Sequence, residues 1–216
     1  MVTVRPLNDA DVSTAVQLHL EVLDMEYLSR FGPAFLRAYY RAWVKSPGAI
    51  SLGAADEQGV LVGVLLGASD PANHVRAMVR HHGLRLATRL VSHALINPSL
   101  ARDLLVTRGR RYAQGVVRVL TARISRSNAT SSAVTVVVGE VTHVLVRPDA
   151  QGTGIGRALI EAAISAAREA GVHELVLVTP PDMAARHFYE RLGWKFDDEI
   201  RSRSGEVFLR FRFHVD

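Results

Sequence analysis

Cysteine is absent from the 216 residues of the chain, and its absence excludes several kinds of chemistry. Without cysteine there can be no disulfide, no thiolate metal site and no acyl-cysteine intermediate. Long apolar runs are missing too, since no uncharged apolar stretch approaches the roughly 18 residues that a membrane-spanning helix needs. The first residues also lack the basic segment followed by an apolar segment that marks a signal peptide. A cytoplasmic location is therefore the default expectation.

Acidic residues are nearly missing from residues 71–130, which hold 11 of the 26 Lys and Arg residues and one acid, Asp103. All 11 of these basic residues are arginine. The rest of the chain has 15 basic and 20 acidic residues, so this block carries a charge of +10 and the remainder −5. At this length we expect a single domain over residues 1–216, with a basic helical insertion at about 71–132.

The segment from Val141 to Gly156, VTHVLVRPDAQGTGIG, changes from a strand pattern to a helix pattern across a glycine-rich turn. Its apolar first half predicts a strand that ends near Pro148, and three glycines within residues 152–156 precede a helical pattern. Such a junction suits an anion, because the first N–H groups of a helix have no partner within it and the helix dipole adds positive charge. Glycines let the backbone curl around a phosphate.

Spacing excludes the two commonest glycine loops. The dinucleotide-binding pattern needs a third glycine three residues after the second, but Arg157 or Leu159 stands there. The nucleoside-triphosphate loop needs Gly-Lys-Ser or Gly-Lys-Thr, and this loop has no lysine. The remaining pattern is Gln-x-x-Gly-x-Gly, at Gln151, Gly154 and Gly156.

This loop resembles the coenzyme A loop of the GNAT superfamily of N-acetyltransferases, which reads Arg/Gln-x-x-Gly-x-Gly/Ala after a strand and a proline. A second segment, PPDMAARHFYERLGWK, follows the next apolar strand and resembles the next motif of that family. The family motif has a capping Asn, then Ala, then Phe-Tyr-x-x-x-Gly-aromatic. The matching positions here are Asp182, Ala185, Phe188, Tyr189, Gly193 and Trp194. The resemblance covers residues 136–214 well and residues 1–69 weakly.

The resemblance implies an α/β fold with a mixed, largely antiparallel central sheet and one parallel βαβ unit that binds coenzyme A. The residue patterns agree with this fold, because they predict a β-hairpin at 50–67 and a second β-hairpin at the end of the chain. Residues 175–178 are apolar throughout, which predicts a strand covered on both faces. The family passes from the first hairpin to the coenzyme-binding strand by a short turn, so the Arg-rich helical segment between the third and fourth strands is an insertion.

Two interpretations of this insertion stay open. It is a basic lid or platform for an acidic partner, such as a phosphorylated substrate, nucleic acid or an anionic membrane surface. Alternatively, it is a solvated helical hairpin that packs on the body or on a second subunit of a homodimer. In that case its arginines pair with the acidic remainder of the chain.

Acetyl-CoA is the co-substrate that the resemblance implies, and no metal is expected because the scattered histidines lack carboxylate or cysteine companions. The strand backbone should bind the pantetheine arm, and the glycine loop should hold the pyrophosphate. Asp182 replaces the usual Asn; either residue caps a helix, but a carboxylate cannot donate a hydrogen bond to the pantetheine. The coenzyme-binding residues implied are Val144, Leu145, Val146, Gln151, Gly152, Thr153, Gly154, Ile155, Gly156, Arg157 and Asp182.

Acetyl transfer to an amine needs a neutral acceptor and a proton for the departing thiolate. Tyr189 matches the proton donor of the family, and its alternative role is a structural hydrogen bond beneath the coenzyme. Glu140 lies where some members carry their base, and its alternative role is a solvated acid near the start of a strand. Period-two alternation predicts that Glu140 shares a face with Thr142 and Val144, whereas His143 packs on the opposite face.

The sequence therefore predicts an acetyl-CoA-dependent N-acetyltransferase that acts on a primary amine by direct attack in a ternary complex. If the Arg-rich insertion lines the site, it favours an anionic acceptor such as a phosphorylated or nucleotide-linked amino sugar; another small amine and a protein amino terminus stay open as acceptors. The alternative is a catalytically weak coenzyme A-binding module whose basic insertion binds nucleic acid or a membrane surface.

Overall fold

A computed structural model describes residues 2–24, 28–98, 102, 137–202 and 205–216. The first half contains β1 (Thr3–Pro6), α1 (Val12–Val22), a 3₁₀ turn (Ser29–Phe31), α2 (Gly32–Lys45), β2 (Ala49–Ala55), β3 (Leu61–Ala68) and α3 (Pro71–Ile96). The second half contains β4 (Val138–Val146), a 3₁₀ turn (Pro148–Ala150), α4 (Ile155–Glu169), β5 (Glu174–Thr179), α5 (Met183–Arg191), β6 (Lys195–Arg201) and β7 (Val207–His214).

The seven strands of these described ranges form one sheet in the order β1-β2-β3-β4-β5-β7-β6. Neighbouring strands are antiparallel except for β4 and β5, which are parallel and joined by α4. The final hairpin inserts β7, rather than β6, beside β5. The mixed, largely antiparallel sheet with one parallel βαβ unit that the sequence predicts is therefore confirmed.

The sheet separates two apolar cores. On one face, α4 contributes Leu159 and Ala163 to a buried cluster that includes Phe211. Gly63 of β3 allows α4 to approach closely, because a Cβ there would lie 2.9 Å from Ile155 and 3.0 Å from Leu159. Each fully buried leucine of such a core contributes about 1.5–3 kcal/mol relative to an exposed one. We call this side of the sheet the α4 face.

The opposite side, which we call the α1–α2 face, is covered by the first two helices. Leu36 and Tyr40 of α2 are fully buried there together with Val16 of α1 and Leu145 of β4. Along α2 these positions recur at i and i+4, which turns one stripe of the helix toward the sheet. The remaining stripes of α2 are left for contact with α3 and with solvent.

Helix α3 is the described part of the Arg-rich segment. The Asp70 carboxylate caps it by accepting a hydrogen bond from the Asn73 N–H at 2.9 Å, and Pro71 occupies its first turn. Leu86 and Leu90 pack against the aromatic cluster around Phe31 and Phe35 on the neighbouring helix, α2, and on the 3₁₀ turn before it. This helix therefore packs on the body; the rest of the insertion predicted to run to about residue 132 lies, apart from residue 102, outside the described residues.

Candidate active site

The glycine loop between β4 and α4 has the geometry of an anion-binding turn. Gly152 and Gly154 have φ values of 76° and 91°, a region that residues with side chains rarely adopt. Gly154 is the N-cap of α4, and the Ala158 N–H donates to the Gly154 carbonyl. The N–H groups of residues 155–157 therefore precede the first bond of the helix and have no acceptor within it. A Cβ on Gly152 or Gly154 would meet no atom within 4 Å, so the space above the loop is open.

Two side chains of the loop are directed at the protein's own backbone. The Gln151 amide donates to the Val146 carbonyl at 3.2 Å, and the Thr153 hydroxyl donates to the Ala150 carbonyl at 2.6 Å. These bonds fix the shape of the turn and leave its backbone N–H groups as the donors that it presents. Arg157, in the first turn of α4, pairs with Glu161 at 2.7 Å on the helix surface. The loop thus fits a phosphate through its backbone first.

The parallel strands β4 and β5 separate beside this loop. Their paired register ends with Val141 opposite Leu177. Beyond that point β5 continues along β7, and β4 continues along β3 to its last residue. Val144, Leu145 and Val146 therefore border a gap between the two strands. We refer to this opening as the β4–β5 gap; an extended chain could add to its edge as a further strand does.

Helix α5 brings the second motif against the glycine loop. The Phe188 ring lies 3.3 Å from the place that a Cβ on Gly156 would occupy, so glycine at that position allows the two motifs to touch. Asp182 is the N-cap of α5, and its carboxylate accepts a hydrogen bond from the Ala184 N–H at 3.0 Å. Its predicted role as a helix cap is confirmed, and its contact with a coenzyme stays a prediction.

Tyr189 lies on the α4 face, inside an aromatic cluster. Its ring centroid is 5.1 Å from that of Phe188, 6.1 Å from that of Trp194 and 5.9 Å from that of Phe211. Burial raises the pKa of Tyr189 to about 12. The phenol therefore keeps its proton near neutral pH, and it is suited to donate that proton rather than to accept one.

A β-bulge at Thr142 interrupts the alternation of β4. In the register between β3 and β4, Val141 lies opposite Gly67 and His143 lies opposite Leu66, so Thr142 is the extra residue. Its hydroxyl donates to the Leu66 carbonyl at 2.9 Å. One extra residue in a strand reverses the facing of the residues before it relative to those after it.

This bulge brings Glu140 and His143 to the same face of the sheet. Val141, the residue after Glu140, belongs to the core on the α4 face, whereas Leu145 belongs to the core on the α1–α2 face. Glu140 therefore lies on the α1–α2 face with His143 and Leu145. The predicted alternation, which put Glu140 with Val144 and His143 opposite, is wrong because period two holds only in an unbroken strand.

Glu140 is half-buried, and burial raises its pKa above the ordinary value of 4.5, while the charge of His143 acts in the opposite, lowering direction. A raised pKa brings a carboxylate closer to the working pH that favours a general base. The arrangement can therefore accept a proton near the mouth of the β4–β5 gap. Whether it does so for an acceptor amine stays a prediction.

The sequence reasoning missed a polar cluster behind Glu140. The His143 ring is buried, with its centroid 5.4 Å from that of His19 and 6.2 Å from that of Tyr39. The His19 ring shares a 3.0 Å hydrogen bond with the Tyr40 hydroxyl. The available signal was His19 itself, a polar residue on the otherwise apolar buried stripe of α1. These groups form a buried polar cluster on the α1–α2 face.

One side of β5 forms an apolar wall next to Glu140. Val176 lies opposite Glu140 in the parallel register, so the two share a face, and Val178 follows on that face. Val178 is 42% exposed, whereas Leu175 and Leu177 on the α4 face are buried. The prediction of a strand covered on both faces is wrong at Val178, where this face of β5 is exposed.

Among the described residues, no group of three or more His, Asp or Glu side chains is arranged to hold a metal ion. His74, one of the scattered histidines of the sequence, is buried against Trp43, and their ring centroids are 3.9 Å apart. No helix in the described part of the chain combines the length and apolar character needed to cross a membrane.

Comparison with protein families gives a match to the acetyltransferase (GNAT) family over residues 115–194. Two curated relatives match a similar length of chain. A mycothiol acetyltransferase from Arthrobacter sp. (strain FB24) is 45% identical over 65 residues, which are 29% of this chain and 20% of the relative. A mycothiol acetyltransferase from Rhodococcus opacus (strain B4) is 42% identical over 59 residues, which are 27% of this chain and 19% of the relative. The chain thus spans about a fifth of the length of these relatives.

Solved structures resemble the chain over its whole length. SsHAT superposes with a TM-score of 0.63 at 22% identity, covering 100% of this chain and 98% of the other. The ribosomal-protein-S18-alanine N-acetyltransferase from Escherichia coli superposes with a TM-score of 0.58 at 14% identity, covering 100% and 95%. At these identities the likeness concerns the fold.

Proposed function

We propose that the chain belongs to the acetyltransferase (GNAT) family, whose model matches residues 115–194, and that it transfers the acetyl group of acetyl-CoA to a primary amine. The observation that carries this proposal is the glycine loop, whose free N–H groups lie beside the β4–β5 gap. A phosphate cradle next to an open strand edge suits a coenzyme with a pyrophosphate and an extended amide-bearing arm.

In this proposal, each part of the coenzyme has its own binding residues. The N–H groups of Gly152–Arg157 hold the pyrophosphate, where the open space above Gly152 and Gly154 supports the fit. The backbone of Val144–Val146 binds the pantetheine arm. Asp182 caps α5. Its carboxylate cannot donate the hydrogen bond that an Asn would supply to the pantetheine, so another group must supply that bond.

The proposed chemistry divides two proton transfers between two residues. Bound acetyl-CoA supplies an activated carbonyl, so that an N–C bond forms as the C–S bond breaks. Glu140 takes a proton from the acceptor amine, directly or through water, and Tyr189 gives a proton to the departing sulfur. The two side chains lie on opposite faces of the sheet. This separation supports a ternary complex, in which acceptor and coenzyme approach the gap from different sides.

The surroundings of Glu140 indicate which kind of acceptor amine fits the site. The half-buried carboxyl and the apolar wall of Val176 and Val178 favour an amine attached to an apolar segment. The relatives named mycothiol acetyltransferases add a mycothiol-type amine to the candidates. Arg85 and Arg89 of α3 line a groove with α2, so these two arginines do not add support for an anionic acceptor at the gap.

The proposal is tested by measuring free thiol release from acetyl-CoA with a panel of primary amines, including a mycothiol-type amine. We expect at least one amine to accelerate thiol release above the rate of hydrolysis in its absence. Coenzyme A binding with no acceleration by any amine would instead favour a catalytically weak coenzyme A-binding module.

The glycine loop gives a prediction with a matched control. In Gly154→Ala, we expect the affinity for acetyl-CoA to fall at least about tenfold, because the new Cβ enters the space proposed for phosphate and strains the turn. Gly171→Ala is the control, since Gly171 has a φ of 71° at the other end of α4 and equally open surroundings. Both variants should lose about 1–2 kcal/mol of stability. Equal loss of coenzyme affinity in both, measured by calorimetry, would contradict the assignment of the loop.

A further inference from the structure

The neighbouring helices α2 and α3 share a groove lined with arginine. The groove runs between α2 and α3 and encloses about 90 Å³. Two small residues, Ala34 and Ala38, are among the residues that line it. Each helix contributes one pair of arginines spaced four residues apart, and the four are Arg37, Arg41, Arg85 and Arg89.

Acidic residues that would offset this charge are missing from both helices. Neither α2 (Gly32–Lys45) nor α3 (Pro71–Ile96) contains an Asp or a Glu. Within the described ranges, each ion pair involves residues other than these four arginines. The lone acid next to these helices in sequence, Asp70, uses its carboxylate to cap α3.

Such an arrangement works against folding unless something neutralises it. Like charges at i and i+4 repel within each helix, and the two pairs also repel each other across the groove. Surface helices ordinarily interleave Glu with Arg, which would remove the repulsion at once. The groove keeps four positive charges close together, as a site for a multivalent anion requires.

The geometry of the guanidinium group indicates which class of anion the groove binds. Its planar fork binds two oxygens of a phosphate or carboxylate at once. A single carboxylate offers two oxygens and one negative charge, whereas linked phosphates offer more oxygens and charge enough for several arginines. We propose that the α2–α3 groove binds the phosphate groups of a compact multivalent anion, with pyrophosphate as the simplest example.

This site is distinct from the glycine loop. Leu36 and Tyr40, the neighbours of the α2 arginines in sequence, are buried against the sheet on the α1–α2 face. Arg37 is exposed on a different stripe of the same helix. The glycine loop leads into α4, which covers the opposite face of the sheet. One anion cannot contact both, so the groove is a second anion site whose existence does not depend on acetyl transfer.

The test is calorimetry of the full chain with sodium pyrophosphate at low salt. We expect the double variant Arg37→Gln/Arg89→Gln to bind pyrophosphate at least about tenfold more weakly than the wild type. Arg76→Gln/Arg80→Gln is the matched control, because these arginines have the same spacing on α3, are exposed, and lie outside the groove. The control should stay within about twofold of the wild type. Equal weakening of both variants, or no binding by the wild type, would overturn the proposal.

Further experiments distinguish binding in the groove from other origins of the measured heat. The titration is repeated with Gly154→Ala, in which the glycine loop is altered and the groove is intact, and pyrophosphate binding to the groove should persist. Pyrophosphate should also raise the melting temperature of the wild type and the control but not that of the groove variant. Binding of duplex DNA or of vesicles containing phosphatidylglycerol that depends on the groove and resists pyrophosphate would assign it to a polymeric or membrane surface and reject the compact anion.

Discussion

Replacing Glu140 with glutamine is expected to lower kcat/KM by about 10²-fold near neutral pH, the lower end of general base effects. Glutamine keeps the size of the side chain but cannot take the proton that an acceptor ammonium must lose. The affinity for acetyl-CoA should stay close to that of the wild type, because Glu140 lies on the α1–α2 face, away from the glycine loop. Thiol release at subsaturating amine measures the rate, and calorimetry measures the affinity.

The rate of acetyl transfer should depend on pH through the ionisation of Glu140. Burial raises the pKa of Glu140 above 4.5, and a base acts only when it is deprotonated. The wild-type rate should therefore rise with pH through that raised pKa, and this rise should be absent in Glu140→Gln. A carboxyl whose pKa is raised by folding stabilises the fold in its protonated form and loses that contribution as pH rises through the folded pKa. Glu140→Gln should therefore be at least as stable as the wild type at neutral pH.

The neighbouring histidine provides the control for Glu140. His143 shares the face of Glu140 and packs near His19 and Tyr39, so His143→Gln tests whether the acid limb belongs to the imidazole instead. We expect this variant to retain the limb with a shifted midpoint, because it removes a neighbouring charge that lowers the pKa of Glu140. Loss of the limb in His143→Gln together with its retention in Glu140→Gln would assign the base to His143.

Replacing Tyr189 with phenylalanine is expected to lower kcat by about 10²-fold, because the departing sulfur loses its proton donor. Burial raises the pKa of Tyr189 to about 12, so the wild-type phenol stays protonated, and no alkaline limb from this group should occur below about pH 11. KM for acetyl-CoA should change little. The phenylalanine ring can keep the contacts with Phe188, Trp194 and Phe211.

A second buried tyrosine separates catalysis from packing. Tyr40 lies on the opposite face and shares a hydrogen bond with His19. Tyr40→Phe should cost about 1 kcal/mol of stability through the lost hydrogen bond, with a much smaller effect on kcat than Tyr189→Phe. A kcat for Tyr189→Phe within about twofold of the wild type would remove the phenol from the proton transfer and leave it a structural role.

The parts of the site that follow from the sequence are those that short segments determine. The glycines at 152 and 154 were predicted to form a curled turn before a helix, and both have the positive φ that such a turn needs. Asp182 was predicted to cap a helix, and it accepts a hydrogen bond from an N–H two residues later. These features depend on neighbours in the chain, so residue type and spacing predict them well.

The parts that did not follow depend on contacts between distant segments. The bulge at Thr142 exists because β4 pairs with β3, and it determines that Glu140 and His143 share a face. The exposure of Val178 depends on whether another element covers that face of β5. The arginine groove requires that α2 and α3 lie side by side. No local pattern predicts these features, because each one is set by the register or packing of two elements.

Binding of acetyl-CoA, measured by isothermal calorimetry on the wild-type chain and on Gly154→Ala, tests the central claim most directly. The account predicts one binding site on the wild type with a dissociation constant below about 1 mM, in the range usual for enzyme substrates. It also predicts much weaker binding to the variant. No heat of binding by a folded wild-type chain at millimolar acetyl-CoA would contradict the account, and so would equal affinity in both proteins.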